Sequence, residues 1–352
     1  MSPGAGTDQG LMQLVTLDRY EIIGLLGTGA DYEVRAAVDR ESGQQVVLKR
    51  PVPQAISRQM HGPIESRTDR TLQAYEELAG RVPQLSPLLG YTERASHAAF
   101  YGDAVSQEYR VMVFARAPGI PLVGDVRARI IGVPIGLGQN LFALFPLVQP
   151  QGEDGWPVQR QLLDLEEQFC LVGRVLLDLG PQNVFYQPAT GAITVIDSGD
   201  QVAVDDEPTS RSRRRRDIHD FYLEMLKFYT TPQDPPDQAS GYGDPFGLRP
   251  VITLEEELGE MSRRLSGRVD PAAKAMLDLI ARVGQRDYGD YSDFRRDLMA
   301  YLEEVRIRHQ ALPDLPRARQ AWLEALELLR ADPWKKYDFD AEVEFRELSA
   351  AS

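Results

Sequence analysis

Three oxygen-bearing side chains flank a predicted hairpin in the middle of the chain. Asp178 and Asn183 precede two apolar strands that span residues 184–196, and Asp197 follows them. The segment between the strands consists of turn-forming residues, so the two ends of the hairpin should lie close together. Carboxylate and amide oxygens are the ligands that Mg²⁺ takes beside phosphate oxygens. The pattern therefore predicts a magnesium site, although side chains that cap turns would explain the same residues.

Composition limits the classes of function. The chain has 352 residues, 43% of them hydrophobic, which is enough to bury the cores of two domains or lobes. Its net charge of -14 argues against a general affinity for nucleic acid or for anionic membranes. The single cysteine, Cys170, excludes an intramolecular disulfide, and the four histidines lack the spacing of zinc ligands.

The sequence shows no signal for export and no membrane-spanning segment. Residues 1–9 are polar rather than basic and then apolar, unlike a secretory signal. The most apolar stretch, residues 130–148, is interrupted by glycine, proline and amide residues, so we do not expect it to cross a bilayer as a helix. Together with the single cysteine, these features predict a cytoplasmic protein.

A strand meander with a glycine pair is predicted near the N-terminus. Its strands cover residues 20–26, 32–38 and 45–48. Gly27 and Gly29 fall at the first turn, where missing side chains let backbone amides approach an anion. Val34 follows this turn, and Lys49 ends the third strand. A glycine pair that leads into a helix would instead indicate a dinucleotide-binding fold.

The order of these motifs resembles that of the protein kinase-like superfamily. A glycine-rich turn precedes Lys49, Asp178 and Asn183 stand five residues apart, and Asp197 begins an Asp-x-Gly triplet. The resemblance implies an α+β fold with two lobes, in which the N-lobe is an antiparallel β-sheet and the C-lobe is mostly helical. It also implies that the protein binds ATP and Mg²⁺.

The resemblance predicts the following domain boundaries. Residues 1–17 form a disordered lead, residues 18–117 the nucleotide-binding N-lobe and residues 118–310 the C-lobe. An insertion covers residues 120–157 approximately, and residues 311–352 add a C-terminal helix and an extended tail. Helical spacing in the C-lobe predicts helices over 158–176, 217–226, 254–265, 272–283 and 291–309.

The resemblance also implies roles for individual residues. Lys49 would pair with the α- and β-phosphates of ATP, and Asp178 would accept the proton of the attacking hydroxyl. Asn183 and Asp197 would hold Mg²⁺. The adenine ring would lie against Phe114 and bond to the backbone that follows it. The implied cofactor-binding residues are Gly27, Gly29, Val34, Lys49, Glu76, Phe114, Ala115 and Ala117.

A helix predicted over residues 64–82 would supply the glutamate that orients Lys49. Its candidates are Glu65, Glu76 and Glu77. Glu76 is preferred because it lies shortly before the predicted end of the helix, but spacing does not choose among the three. Solvated charges on a helix surface would explain each of them as well.

The segments around the catalytic loop depart from the kinase pattern. Leu176 and Leu177 replace the usual His-Arg pair, so we infer no switch in which an arginine holds a phosphorylated activation loop. No Ala-Pro-Glu triplet is present, and only 20 positions separate Asp197 from Asp217. Asp217 stands where the family has a buried aspartate that braces the catalytic loop. These departures weaken the prediction of a protein substrate more than that of a metal site.

The glycine turn also departs from the family. Tyr32 occupies the position of the third glycine. Asp31 and Glu33 place negative charge near the expected phosphates, which should weaken nucleotide binding unless metal ions or arginine side chains compensate.

Three segments are candidate surfaces for a protein partner or substrate. They are the insertion 120–157, the arginine-rich stretch 211–216 and the C-terminal residues 318–346. Residues 337–346 alternate between apolar and charged side chains, which is typical of a half-buried strand. Such a strand would pair with an exposed sheet edge of its own chain or of a partner.

Two functions are compatible with these residues. The first is an ATP-dependent phosphotransferase that moves the γ-phosphoryl group of Mg-ATP to a hydroxyl acceptor, with a Ser or Thr side chain of a protein preferred. The second is a pseudokinase scaffold that binds nucleotide weakly or not at all and acts through protein interactions. Asp178 favours the first function, whereas Asp31 and the altered turn favour the second.

Overall fold

The structure is a computed structural model with an α+β fold. The described residues are 12–29, 31–52, 64–78, 80–121, 157–177, 179, 183–187, 190–199, 201–203, 217–230, 254–310 and 338. Contacts divide the chain into two compact units, Met1–Ala117 with Ser198–Asp200, and Pro118–Asp197 with Gln201–Ser352. Among the described helices, none combines the length and the apolar character needed to cross a membrane.

The first unit is built on a six-stranded mixed sheet. Its strands are β1 Gln13–Leu14, β2 Tyr20–Thr28, β3 Tyr32–Asp39, β4 Gln45–Pro51, β5 Leu88–Tyr91 and β6 Met112–Ala115. Their spatial order is β1-β5-β6-β4-β3-β2. The antiparallel pairs β2 with β3 and β3 with β4 confirm the predicted meander. Its helical segments are the 3-10 turn Leu17–Arg19, α1 Ile64–Leu78 and α2 Ala98–Tyr101.

Alternation along the strands gives this sheet a packed core on each face. One core contains Leu17, Tyr20, Ala37, Val46, Leu48, Tyr101, Tyr109, Val111 and Val113. The other contains Tyr32, Ile64, Leu72, Leu88, Met112 and Phe114, two of which belong to α1. Lys49 and Arg50 are neighbours on β4, so they lie in different cores, beside Tyr32 and Tyr101 respectively.

Residues 12–17 do not belong to the predicted disordered lead. β1 pairs in parallel with β5, and the Val15 N–H donates to Tyr91 O at 2.9 Å. Gly90 permits this approach because a Cβ at its position would lie 2.7 Å from Gln13 O. The prediction of a purely antiparallel sheet is therefore wrong at this edge.

The second unit is mostly helical. Its helices are α3 Pro157–Leu171, α4 Ile218–Thr230, α5 Leu254–Leu265, α6 Pro271–Gln285 and α7 Tyr291–Gln310. Its strands are β7 Ile120–Pro121, β8 Arg174–Leu176, β9 Val184–Tyr186, β10 Ile193–Val195 and β11 Gln201–Ala203. They form a sheet in the order β10-β9-β7 and a separate pair, β11-β8. Four of the five predicted helices are confirmed, and their ends move by at most a few residues.

The exception is the helix predicted over 158–176, which ends at Leu171. Gly173 adopts a left-handed φ of 72°, and its N–H donates to Cys170 O, which closes the last turn of α3. The chain then enters β8, which pairs with β11. The apolar residues of β8 extend the helical pattern in the sequence, so periodicity alone missed the break.

Most of the segments predicted to contact partners lie outside the described residues. This holds for the arginine-rich stretch 211–216, for residues 122–156 of the insertion and for residues 318–337 and 339–346 of the C-terminal segment. In the tail only Asp338 is described, and its carbonyl accepts from the Gly119 N–H at 2.7 Å. At this residue the tail contacts its own chain.

Candidate functional site

The glycine turn joins β2 to β3. Gly27 lies within β2, opposite Val34, rather than in the turn as predicted. Gly29 lies in the turn, and its N–H donates to Tyr32 O at 2.8 Å. Both glycines are exposed, and a Cβ on Gly27 would meet no atom within 4 Å. The packing of the protein itself therefore does not require glycine at position 27. The surface beside Gly27 is open, so a ligand has room there.

Lys49 lies in the middle of the sheet, opposite Val34 of β3 and Met112 of β6. The prediction placed it at the end of its strand, but β4 continues to Pro51. Lys49 is only 6% exposed, and its Nζ lies 4.6 Å from the centroid of the Tyr32 ring. An ammonium on an aromatic face is held by a cation–π interaction. Tyr32, at the position of the third glycine, is therefore in direct contact with the lysine.

Arginine side chains compensate the two carboxylates of the turn. Asp31 pairs with Arg67, and Glu33 pairs with Arg35 at 2.5 Å and Arg50 at 3.1 Å. Burial disfavours the charged form of Glu33, but the hydrogen bonds from Arg35 and Arg50 outweigh it and lower the pKa of this carboxyl. These ion pairs reduce the repulsion that Asp31 and Glu33 would exert on bound phosphates. Compensation by arginine side chains was one of the two possibilities that the sequence allowed.

The three candidate glutamates of α1 differ in their surroundings. Glu76 is exposed on α1, whereas Lys49 is buried. Glu77 accepts from Gln73 Nε2 at 2.8 Å. Glu65 is half-buried, and its Oε2 is buried without a hydrogen-bond partner. Helical spacing does not show how a helix is rotated about its own axis, so the pairing of Lys49 with Glu76 stays a prediction.

Two positively charged side chains beside Glu65 are those of Arg94 and Arg110. Burial raises the pKa of Glu65, and the nearby charges of Arg94 and Arg110 oppose this shift. Glu65 therefore lies beside the residues that follow β5 and precede β6.

The strand β6 carries the residues predicted to line an adenine site. Phe114 is 5% exposed, and its ring meets that of Tyr75 edge to face at 5.7 Å. The Ala115 N–H donates to Pro87 O, and Ala115 O accepts from Ser86 Oγ. Both backbone groups of Ala115 therefore bond within the protein.

The predicted hairpin of the second unit is confirmed. Val195 pairs with Val184, and the Ile196 N–H donates to Asn183 O at 3.0 Å. Asn183 and Asp197 therefore lie at the same open end of the hairpin, and both are half-buried. One amide oxygen and one carboxylate are donors that suit a hard cation such as Mg²⁺.

The third predicted metal-site residue, Asp178, lies outside the described residues. Its neighbours Leu177 and Leu179 are 2% and 1% exposed. Within the described ranges, no group of three or more His, Cys, Asp or Glu residues is arranged to hold a metal ion. Asn183 and Asp197 are therefore part of a possible donor set that needs another oxygen ligand.

Sequence analysis missed a fully buried carboxyl group on α3. Glu166 has no exposed surface, and its Oε2 accepts from the Leu176 N–H at 3.2 Å. Because Leu176 ends β8, this contact joins α3 to the strand that leads into Asp178. Burial raises the pKa of Glu166 well above its ordinary value. A glutamate within the apolar stripe that contains Leu162 and Phe169 is the signal that would have revealed it.

We expect Glu166→Gln to change how stability depends on pH. The raised pKa means that the folded protein holds this proton above pH 4.5 while the unfolded chain releases it. Wild-type stability should therefore fall as pH rises from about 4.5 towards the folded pKa. The variant lacks this proton, so its melting temperature should rise relative to wild type as pH increases from about 5 to 8.

Thermal unfolding at several pH values measures this difference. Glu256→Gln, at an exposed position of α5, is the matched control and should follow the wild-type curve. A constant offset between Glu166→Gln and wild type at every pH would contradict the prediction.

Asp217 is held at the start of α4. It accepts from the His219 N–H at 2.9 Å and also pairs with Arg286. Burial alone would raise the pKa of Asp217, but the bonds to His219 and the charge of Arg286 lower it to about 2. A carboxylate at the first turn of a helix satisfies backbone amides. Its observed contacts therefore begin α4 and join it to the end of α6.

No protein-family model matches the chain, and no curated protein matches it.

Proposed function

We propose that the chain is a Mg-ATP-dependent phosphotransferase of the protein kinase-like superfamily. It transfers the γ-phosphoryl group of ATP to a hydroxyl acceptor, a Ser or Thr side chain of a protein in the preferred case. The observation that carries the proposal is the position of Lys49. This lysine lies in the central part of the sheet, opposite Val34, which in turn lies opposite Gly27. The proposed location is the cytoplasm.

The proposed roles follow the chemistry of phosphoryl transfer. Lys49 binds the phosphates, and the exposed glycines of the turn let backbone amides approach them. Asn183 and Asp197 hold Mg²⁺, which neutralises charge on the phosphate oxygens when it is bound. Asp178 accepts the proton of the acceptor hydroxyl.

A pseudokinase scaffold is the second candidate, and Tyr32 favours it. The Tyr32 ring lies against Lys49 Nζ, and Glu76 is exposed on α1. When phosphates bind, Lys49 has either to leave the Tyr32 ring or to contact the phosphates while it stays on this ring. The scaffold would then use Lys49 for stability rather than for nucleotide binding.

Nucleotide binding by a Lys49→Met variant distinguishes the two candidates. Loss of a charge-assisted contact to phosphate should raise the Kd for Mg-ATP by about tenfold or more, since such bonds contribute about 1.5–3 kcal/mol. Titration calorimetry of wild type and variant gives the two Kd values.

Lys274→Met is the matched control because Lys274 is exposed on α6. It should bind Mg-ATP as wild type does. If the wild-type protein shows no heat of binding and no thermal shift with Mg-ATP, the proposal of a phosphotransferase is contradicted. The pseudokinase scaffold is then the remaining candidate.

A further inference from the structure

Arg67 of α1 joins three parts of the first unit. Its Nη1 donates to the carboxylate of Asp31 in the glycine turn. Its Nε donates to Gly199 O at 3.2 Å, and Gly199 belongs to the same compact unit. The side chain of Arg67 is 13% exposed and that of Asp31 is 11% exposed, so water screens this ion pair only weakly.

A second contact fixes the same turn to the same helix. The Tyr32 hydroxyl lies 3.0 Å from Thr68 Oγ1, and Thr68 donates its own proton to Ile64 O. Tyr32 is therefore the donor in its bond to Thr68. Asp31 of the turn and Tyr32 at the start of β3 thus bond to two successive residues of α1.

The turn is also held from the side of β4. The Val52 N–H donates to Asp31 O at 2.9 Å, and the Gly29 N–H donates to Tyr32 O at 2.8 Å. These four contacts hold Gly29, Asp31 and Tyr32 without a ligand, so binding at these residues costs less conformational entropy.

Gly199, the second partner of Arg67, ends the triplet that the predicted metal ligand begins. Gly199 follows Asp197 by two positions in the Asp-Ser-Gly triplet. A guanidinium group has several donors in a fixed plane, so Arg67 bonds to Asp31 and Gly199 at once. The ammonium group of a lysine at this position would not reproduce the hydrogen bonds to both Asp31 and Gly199.

We propose that Arg67 is a positioning residue that holds Asp31 of the glycine turn and Gly199 of the Asp-Ser-Gly triplet together within the first unit, and that this arrangement supports the binding of Mg-ATP. The inference rests on the proposed function. In kinases that are switched on by phosphorylation, the phosphorylated activation loop orders the active site. In this protein the permanent contacts of Arg67 with Asp31 and Gly199 would have that role. The Leu176-Leu177 pair, in place of His-Arg, agrees with the absence of such a switch.

The test is the Mg²⁺ dependence of ATP binding in variants of Arg67. Loss of a residue that supports a metal ligand typically costs about 10- to 100-fold in metal affinity. In Arg67→Met, the Mg²⁺ concentration for half-maximal ATP binding should rise within this range. Arg67→Lys should show a similar rise because it retains only one of the two contacts. ATP binding without Mg²⁺ should change less in both variants.

Arg70→Met is the matched control, since Arg70 is exposed on the same helix. It should leave the Mg²⁺ dependence unchanged. Asp31→Asn keeps an oxygen acceptor for Arg67 and should fall between the control and Arg67→Met.

The outcomes separate this inference from the proposed function. If wild type binds ATP and Arg67→Met melts lower without any change in Mg²⁺ dependence, Arg67 is only structural and the inference is wrong. If wild type binds no nucleotide, the proposed function and the inference are both wrong.

Discussion

Replacement of Asp178 by Asn should lower the rate of phosphoryl transfer by about 10²- to 10⁴-fold, the usual contribution of a general base. Asparagine has nearly the same shape as aspartate, but it does not accept the proton of the acceptor hydroxyl at neutral pH. Mg-ATP binding should stay close to that of wild type because the proposed contacts to the nucleotide come from Lys49, Asn183 and Asp197. Initial rates of transfer and the Kd for Mg-ATP measure the two effects separately.

Asp278→Asn is the matched control for this variant. Asp278 is exposed on α6, outside every proposed site, and its replacement should leave the transfer rate unchanged. Equal transfer rates for Asp178→Asn and wild type would contradict the role of Asp178. Loss of binding together with transfer would show that Asp178 acts on the nucleotide rather than on the acceptor.

Arg50→Met should lower the free energy of unfolding by about 3–5 kcal/mol, as expected when one partner of a buried ion pair is removed. Arg50 is 4% exposed, and its Nη1 bonds to Asp103 at 2.5 Å and to Tyr109 OH at 3.3 Å. Its Nε bonds to Glu33 at 3.1 Å, and its Cζ lies 3.8 Å from the centroid of the Tyr101 ring. Without Arg50, Asp103 loses its cation and Tyr101 loses a cation–π contact.

Urea unfolding measures this change in stability. Arg81→Met, at an exposed position, should alter stability by no more than about 0.5 kcal/mol. Adding Asp103→Asn to Arg50→Met should recover part of the loss, because it removes the carboxylate that has lost its ion-pair partner. A loss for Arg50→Met as small as that for Arg81→Met would contradict the account of this cluster.

The local parts of the fold were predictable because they follow from neighbouring residues. Helices α4 to α7 show apolar residues at helical spacing, and α6 begins at Asp270, whose Oδ1 accepts from the Ala273 N–H. The β9–β10 hairpin follows from two short apolar runs around a turn. These patterns depend on residues a few positions apart, so the sequence alone indicates them.

The wrong predictions concern contacts between residues far apart in the chain. β1 is only two residues long, and its partner β5 lies more than 70 positions away. The break between α3 and β8 depends on the pairing of β8 with β11. Hydrophobic periodicity contains no information on such pairings, and so residues 12–17 and 174–176 were assigned incorrectly.

In the candidate site, too, the local features were predictable and the contacts between distant residues were not. The order of the glycine turn, Lys49 and the hairpin is visible in the sequence, and the structure confirms the strands that carry them. The partner of Asp31 is Arg67, 36 positions away, and no local pattern predicts this pair. Glu166 was missed for a similar reason, because its partner is the backbone of Leu176 and a backbone amide leaves no mark in the sequence.

One measurement tests the central claim most directly. The wild-type protein is incubated with γ-labelled Mg-ATP under single-turnover conditions, and ADP, free phosphate and labelled acceptor are quantified over time. The account predicts that label moves from ATP to a hydroxyl acceptor with matching formation of ADP, and that chelation of Mg²⁺ stops the transfer. Tight binding of ATP without any ADP or labelled acceptor would contradict the phosphotransferase and would identify the chain as a nucleotide-binding scaffold.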